Sequence, residues 1–448
     1  MKTQIFKYLD RIHSSFWFIP VVMSVVAVAL AFVTVSLDRP MTDWMRTAWG
    51  WTFNGGAEGA SAVLGTVAGS AITIAGVVFS MTLVALSLTS SQLGPRLLRN
   101  FMRDTTTQVV LGTFVATFLY CLLVLRTIRR AEEITFVPHL SVTLGVLLAV
   151  VSVGVLIYFI HHVSVSIQAN EIVARVGTEL IEGVDRLFLE HIDQGAPRIP
   201  LEPPDARFLV TFDREALPVN AAADGYLQFI DMNALMSLAI QEDAIIRLER
   251  RPGHYIITGC PLVLIWPGNR VSNQLTQQVN STFALGHQRT PGQDIEFAVS
   301  QLVEIAVRAL SPGLNDPFTA IACVDQLASA LCYLAQRDPP SPYRHDQEDQ
   351  LRVIATAVTF PTITNRAFNQ IRQYGRSSAA VTIRLLEVIA VITSFAHRSE
   401  DRAALLRHAE MITRGARDGL PEEEDRLAVK DRFHAVSQLC RQSAGSGS

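Results

Sequence analysis

The sequence predicts an α-helical membrane protein of four spans with a cytoplasmic α+β region, a small β-barrel-like module followed by a helical domain. Three observations lead there. The chain has 448 residues, of which only 18% are charged and 49% hydrophobic, where a soluble chain carries about 25% charged residues. Its mean hydropathy is +0.27, and the apolar residues gather in four long runs before residue 163. Charge is split as well: residues 1–163 carry 11 Lys+Arg against 7 Asp+Glu, residues 164–448 carry 27 against 34. A basic membrane half joined to a mildly acidic soluble half excludes extensive disorder and a nucleic-acid binder. Three lysines against 35 arginines point to a GC-rich bacterial genome.

Each apolar run reaches the roughly 20 residues that a bilayer core of about 30 Å requires. The first, Phe16–Leu37, opens on Phe16-Trp17-Phe18. It is too long for the apolar part of a signal peptide and no A-x-A-like site follows it, so it is expected to stay as a span. The others are Ala62–Ser91, Gln108–Leu125 and Leu140–His162. Four spans put both termini on one side, with Lys2, Lys7, Arg11, Arg96, Arg99 and Arg103; Arg39, Arg46, Arg126, Arg129 and Arg130 fall on the other. The positive-inside rule then favours cytoplasmic termini in a bacterial inner membrane. Five cysteines (121, 260, 323, 332, 440) without a C-x-x-C indicate no disulfide framework. The loop Asp38–Ser61, with Trp44, Trp49 and Trp51, is expected on the far side as an interfacial belt.

The second span carries the most information. Thr66, Ser70, Thr73, Val77, Ser80, Val84, Ser87 and Ser91 recur at alternating steps of four and three, and six of the eight are hydroxyl residues. A neighbouring stripe holds Gly65, Gly69 and Gly76, small residues that let membrane helices approach closely. Gly94-Pro95 breaks the helix, and Arg96, Arg99 and Arg103 follow. Two readings compete. In one, the hydroxyls bond to neighbouring helices or back to their own carbonyls within a bundle. In the other, several copies surround an axis, the eight seam residues line a wet path, and Gly94-Pro95 with the three arginines forms a hinge and an anion-attracting mouth. No charged residue interrupts a span core, which argues against a carrier with a charged relay. His161 and His162 point about 100° apart on a helix and cannot grip one metal together.

Past the membrane, residues 164–204 read as an amphipathic helix and a Pro-rich linker, with Ile172, Val176, Leu180, Val184, Leu187 and Phe188 on one face. Residues 205–268 read as the β-rich module. Arg207–Phe212, Ala244–Leu248, Tyr255–Thr258 and Pro261–Trp266 are its apolar or β-branched runs, and Ile230–Ile240 is one short helix starting near Asp231. The outline is similar to biotinyl or lipoyl modules, but no lysine lies between Lys7 and Lys430 to carry a prosthetic group. Residues 269–442 are expected to be helical. Asp294 caps Ile295–Leu310, which carries a Glu304/Arg308 pair, and Asp316 with Pro317 starts the helix to about Leu334. Further helices are expected near 349–359, 362–374, 378–397, 401–415 and 421–441, and 443–448 has the composition of an appended tail.

The stretch Arg308-Ala309-Leu310-Ser311-Pro312-Gly313-Leu314-Asn315-Asp316-Pro317-Phe318-Thr319-Ala320 resembles the signature of a bacterial family of predicted membrane proteins, domain of unknown function 2254. The second-span sequence Val78–Thr82 through Ser90–Arg96 is similar to that family too. The resemblance covers nearly the whole chain. It implies four spans and a cytoplasmic domain, and brings no established activity.

Function is left to the residues. The leading expectation is a homo-oligomeric channel for small ions lined by the second span. The alternative is a membrane-anchored sensor or scaffold with a cytoplasmic interaction domain. Arg308, Ser311, Asn315 and Asp316 could form a ligand-binding turn, but helix capping accounts for nearly all of them. No P-loop, G-x-S-x-G, H-E-x-x-H or dinucleotide fingerprint occurs, so neither an enzyme, a cofactor nor a metal centre is expected.

Overall fold

The computed structural model describes residues 16–48, 53, 55–92, 94, 104–131, 134–166, 168–193, 204–339, 341–355 and 358–442. The chain divides into two compact units, one up to Gln168 and one from Ala169 onward.

The first unit is built on four long helices, α1 (Phe18–Ala48), α2 (Ala57–Gln92), α3 (Thr105–Thr127) and α4 (His139–Ser166). Each expected span falls within one of them, except that Phe16 and Trp17 of the first form a turn before α1. α3 is the central helix, packing against α1, α2 and α4, and it buries Phe114, Tyr120 and Val124. Two expectations need correction. The apolar stretch ends at Asp38 as expected, but the segment that follows is not irregular at its start: the helix runs on to Ala48. Trp44 therefore falls in α1, while Trp49 and Trp51 lie outside the described residues. Between α3 and α4 the chain forms an unexpected antiparallel hairpin, β1 (Arg129–Ala131) with β2 (Ile134–Phe136).

The second unit begins with α5 (Ala169–Asp193), whose Ile172, Val176, Leu180 and Val184 are buried as the periodicity requires. α4 has already ended at Ser166, so a single uninterrupted helix from Ser164 is not formed. The run Arg207–Phe212, expected as a strand, lies in helix α6 (Ala206–Glu215). The Asp205 carboxylate accepts from the Arg207 amide at 3.0 Å and starts it. Phe208 and Phe212, one turn apart, then lie against Trp266 and the Arg247 guanidinium.

Strands β3 (Leu217–Asn220), β4 (Gly225–Ile230), β5 (Ile245–Leu248), β6 (Tyr255–Ile256) and β7 (Pro261–Trp266) follow, with α7 (Met232–Gln241) capped by Asp231. Next come α8 (Asn273–Thr282), capped by Ser272, and β8 (Phe283–Gly286). Farther along are β9 (Tyr343–His345) and β10 (Leu351–Ile354). They pair as a five-stranded sheet, β3-β7-β5-β10-β9, and a three-stranded sheet, β6-β4-β8. The sequence points to one β-module within 205–268; the sheets draw strands from 217 to 354. The helix expected at 349–359 is β10, parallel to β5 with Val353 opposite Ile246. Val353 is fully buried there, and Arg352 is held by Asp346 at 2.7 Å and Asp243 at 2.8 Å. Leu227, Leu235, Ile246, Val263, Ile265 and Val279 form the core under these strands.

The remaining helices are α9 (Ile295–Ala309), α10 (Pro317–Ala335), α11 (Phe360–Tyr374), α12 (Ala379–Phe395), α13 (Ser399–Gly419) and α14 (Glu423–Gln442). α5, α9, α10 and α11 share an interior whose void between Leu180, Val299, Leu331 and Ile363 is only ≈ 10 Å³. That is crystal-like packing with no room to bind a ligand. Asp294 occupies the cap position of α9, but its carboxylate makes no cap bond. It is instead bidentate to Arg289, at 2.7 and 2.9 Å. Gly253 (φ +92°) carries the adjoining turn over it, and a Cβ there would overlap that carboxylate.

Candidate functional site

The two faces of α2 separate cleanly. Ala60, Leu64, Ala68, Ala71, Ala75, Val78, Ala85 and Thr89 are buried, and these small side chains bring α2 against α3 and α4. The seam faces the other way. Thr66, Ser70, Thr73, Val77, Ser80, Val84, Ser87 and Ser91 are all exposed. Thr66, Ser70 and Thr73 donate to the carbonyls of Ala62, Thr66 and Gly69, each at 2.8 Å, and Ser91 donates to Leu88 at 2.9 Å. Of the two forms of the packing reading, these four hydroxyls take the one in which they bond back to carbonyls of their own helix, and the exposed seam is not turned towards the neighbouring spans of the chain. The glycine stripe is open as well, since a Cβ at Gly65, Gly69 or Gly76 would meet nothing within 4 Å.

Thr73, Gly76, Val77, Ser80, Val84 and Leu88, with Val163 of α4, line a surface groove of ≈ 640 Å³. Gly94, which follows α2 in sequence, is buried with φ 122°, a left-handed conformation that glycine adopts without strain. Pro95, Arg96, Arg99 and Arg103 lie outside the described residues.

Two polar anchors that the sequence reading missed fix the ends of this unit. Asp38 of α1 accepts from the amides of Leu140 and Ser141, at 2.8 and 3.0 Å, and from the Ser141 hydroxyl at 2.6 Å. A carboxylate thus sits on the positive end of the α4 dipole, and the partners are about a hundred residues apart. Asp104 caps α3 through the Thr106 amide and the Thr107 hydroxyl, and binds His162 Nε2 at 2.8 Å. Asp104 before three threonines and an apolar run is an N-terminus signature readable without a structure; its histidine partner is not. His162 also stacks on Tyr158.

In the second unit the Arg308–Ala320 turn joins α9 to α10. Arg308 lies 3.6 Å from Glu304. The Ser311 hydroxyl donates to the Arg308 carbonyl at 2.6 Å. Asn315 takes a left-handed φ of 48°, and the next amide, of Asp316, reaches back to the Ala309 carbonyl. Asp316 then accepts from the Phe318 and Thr319 amides and the Thr319 hydroxyl. Those bonds, the Thr319 hydroxyl foremost, lower the Asp316 pKa. Each of the four residues thus has a structural task in joining two helices. The turn also presents Leu314 and Phe318 to solvent, the latter 80% exposed.

Five helices are long and apolar enough to cross a membrane: Phe18–Asp38, Ala57–Ser91, Thr105–Thr127, His139–Ser166 and Pro317–Ala335. The last is α10, which packs among α5, α9 and α12 and carries Asp325, paired with Arg384 at 2.7 Å.

The comparisons agree with this picture. An uncharacterized protein of Mycobacterium bovis and one of Mycobacterium tuberculosis H37Rv are each 34% identical over 388 residues, covering 84% of this chain and 72% of theirs. A protein from a second M. tuberculosis strain, CDC 1551, is 33% identical over the same length. No solved structure matches. A family model described as predicted membrane protein matches residues 13–391, from before the first span to within α12. The chain therefore belongs to that family, the predicted membrane proteins of domain of unknown function 2254.

Proposed function

We propose that the chain assembles as a ring of copies forming a channel for small ions, with the hydroxyl seam of α2 on the axis. It lies in a bacterial inner membrane with cytoplasmic termini and four spans, α1 to α4; α10 serves as a core helix of the cytoplasmic part. One observation carries the reading: all eight seam residues face away from the chain's own bundle. The glycine stripe beside them is equally uncovered, so a neighbouring copy can approach α2 along Gly65, Gly69 and Gly76 while the seam stays open. Hydroxyls and the carbonyls they bond can solvate an ion without a buried charge. Gly94-Pro95 and the arginines at 96, 99 and 103 would form the hinge and a mouth that concentrates anions. The reading assigns no catalysis and no cofactor.

The test is mass photometry of the detergent-purified chain followed by planar-bilayer recording. A closed ring of four or more copies and measurable currents are expected. Ser80→Leu or Ser87→Leu should abolish conductance with the ring intact, and unchanged currents would sink the assignment.

A second reading, a membrane-anchored scaffold, is favoured by the exposed Leu314 and Phe318 on the turn after α9. It expects a monomer or dimer without currents, and crosslinks from this turn to a partner protein.

A further inference from the structure

Residues 360–420 contain nine arginines against five Asp and Glu, inside a half of the chain that is otherwise acidic. Most buried or half-buried arginines of the second unit are neutralised. Arg289 holds Asp294, Arg251 and Arg366 share Glu296, Arg352 holds Asp346, and Arg398 holds Asp401. Along the junction of α11 and α13, which pack side by side, the pattern breaks. Among the described residues, Arg372, Arg376, Arg407 and Arg414 have no carboxylate within ion-pair distance. Glu410 and Asp418, on α13 itself, pair with none of them.

The four are brought together by packing. Gly419 of α13 sits against the backbone of Arg376, where a Cβ would overlap the Arg376 carbonyl, and the Cβ position of Gly415 is 3.9 Å from that of Arg376. Arg414 is near enough to Arg372 that, after burial itself, it is what lowers the Arg372 pKa. Deeper in the junction, Asn365 Oδ1 accepts from Arg407 Nη2 at 3.1 Å and from His408 Nε2 at 2.9 Å. Two donors meet on that oxygen, so His408 carries a proton on Nε2. Burial, then Arg407 and Arg372, hold its pKa down to about 4. Arg372 Nε is buried without any hydrogen-bond partner, and so is His408 Nδ1. Arg372 is half-buried and Arg376, Arg407 and Arg414 are exposed, so the cluster offers guanidinium donors at the surface, and no carboxylate competes for them with an incoming anion.

We propose that this arginine track binds a polyvalent phosphate, an inorganic polyphosphate or the phosphate chain of a nucleotide. Guanidinium forks match phosphoryl oxygens two at a time and keep their charge at any physiological pH. Arg407 and Arg414 are seven residues apart on one helix, about 10 Å. That is the reach of several linked phosphoryl groups rather than of one. Arg372 supplies the innermost donor and Arg376 the end of the track, where the exposed Tyr374 lies close in sequence. The site belongs wholly to the second unit and does not depend on whether the first conducts.

Isothermal titration of the full chain in detergent, with sodium tripolyphosphate at low ionic strength, tests it. Saturable binding that weakens steeply with salt is expected. The double variant Arg407→Gln/Arg414→Gln changes two exposed side chains and should fold normally by circular dichroism while binding at least tenfold more weakly. Arg441→Gln, on α14, should bind as the parent does. Tripolyphosphate and ATP binding equally would identify the phosphate chain as the ligand, and tighter ATP would add the nucleoside. Absence of binding at millimolar tripolyphosphate would overturn the proposal, as would equal weakening by Arg441→Gln.

Discussion

At the scale of single residues, His408 and Asp38 make the sharpest statements. His408 is fully buried and its pKa is held near 4, while in the unfolded chain it titrates near 6.5. As pH falls the unfolded chain takes up this proton first. Stability contributed by the neutral imidazole is therefore complete above about pH 6.5 and lost as pH falls towards 4, about 3 kcal/mol in all. Thermal unfolding of the full chain at pH 7 and pH 5 should show the drop, and His408→Gln should flatten the difference between the two. Asp38→Ala strips α4 of the carboxylate that meets two of its first amides, and should lower stability by about 1–3 kcal/mol. A melting temperature in detergent equal to the parent's would contradict this. Neither role is legible in the sequence. Asp316 could be read as a cap because its partners are two and three residues away, whereas Asp38 acts on Leu140 and His408 on Asn365. Only the packed chain brings those together.

Among elements, periodicity was the reliable guide and length the unreliable one. The four-and-three steps of α2 trace its exposed hydroxyl face in the sequence, whereas the alanines of the buried face opposite carry no signal that sets them apart from the rest of an apolar run. Short runs gave less: Arg207–Phe212 holds as many apolar residues as a strand needs, yet Asp205 caps it into α6. Residues 349–359 look helical in composition, yet Val353 is taken up by the ladder with Ile246. The α9–α10 junction offers a test at this scale. Asp316→Ala removes the cap of α10 and should cost about 1 kcal/mol. Asn315→Gly should be neutral, while Asn315→Val forces a β-branched residue to positive φ and should be worse than either neighbour's loss. Chemical denaturation of the three variants gives that order directly.

Over the whole molecule, the exposed glycine stripe makes assembly testable without any recording. Gly69→Leu adds a large side chain where nothing in the chain itself stands within 4 Å. The monomer fold should survive, and the ring should fall apart in mass photometry; an intact ring would move the subunit contact elsewhere. The two-unit division was legible from hydropathy and charge alone, because a bilayer and water select different compositions. The composition of the β-region was only half legible, because two of its strands arrive after two long helices.

That late arrival has a consequence for synthesis. β5 lies between β7 and β10, and β10 leaves the ribosome about 100 residues after β5, roughly 5–20 s of elongation. Throughout that interval β5 is an unfinished border, with bare amides and carbonyls beside an apolar face, the form in which nascent chains stick to one another. A polypeptide halted before Tyr343 should therefore accumulate as aggregate, and one continued past Ile354 should seal the border and become soluble in detergent.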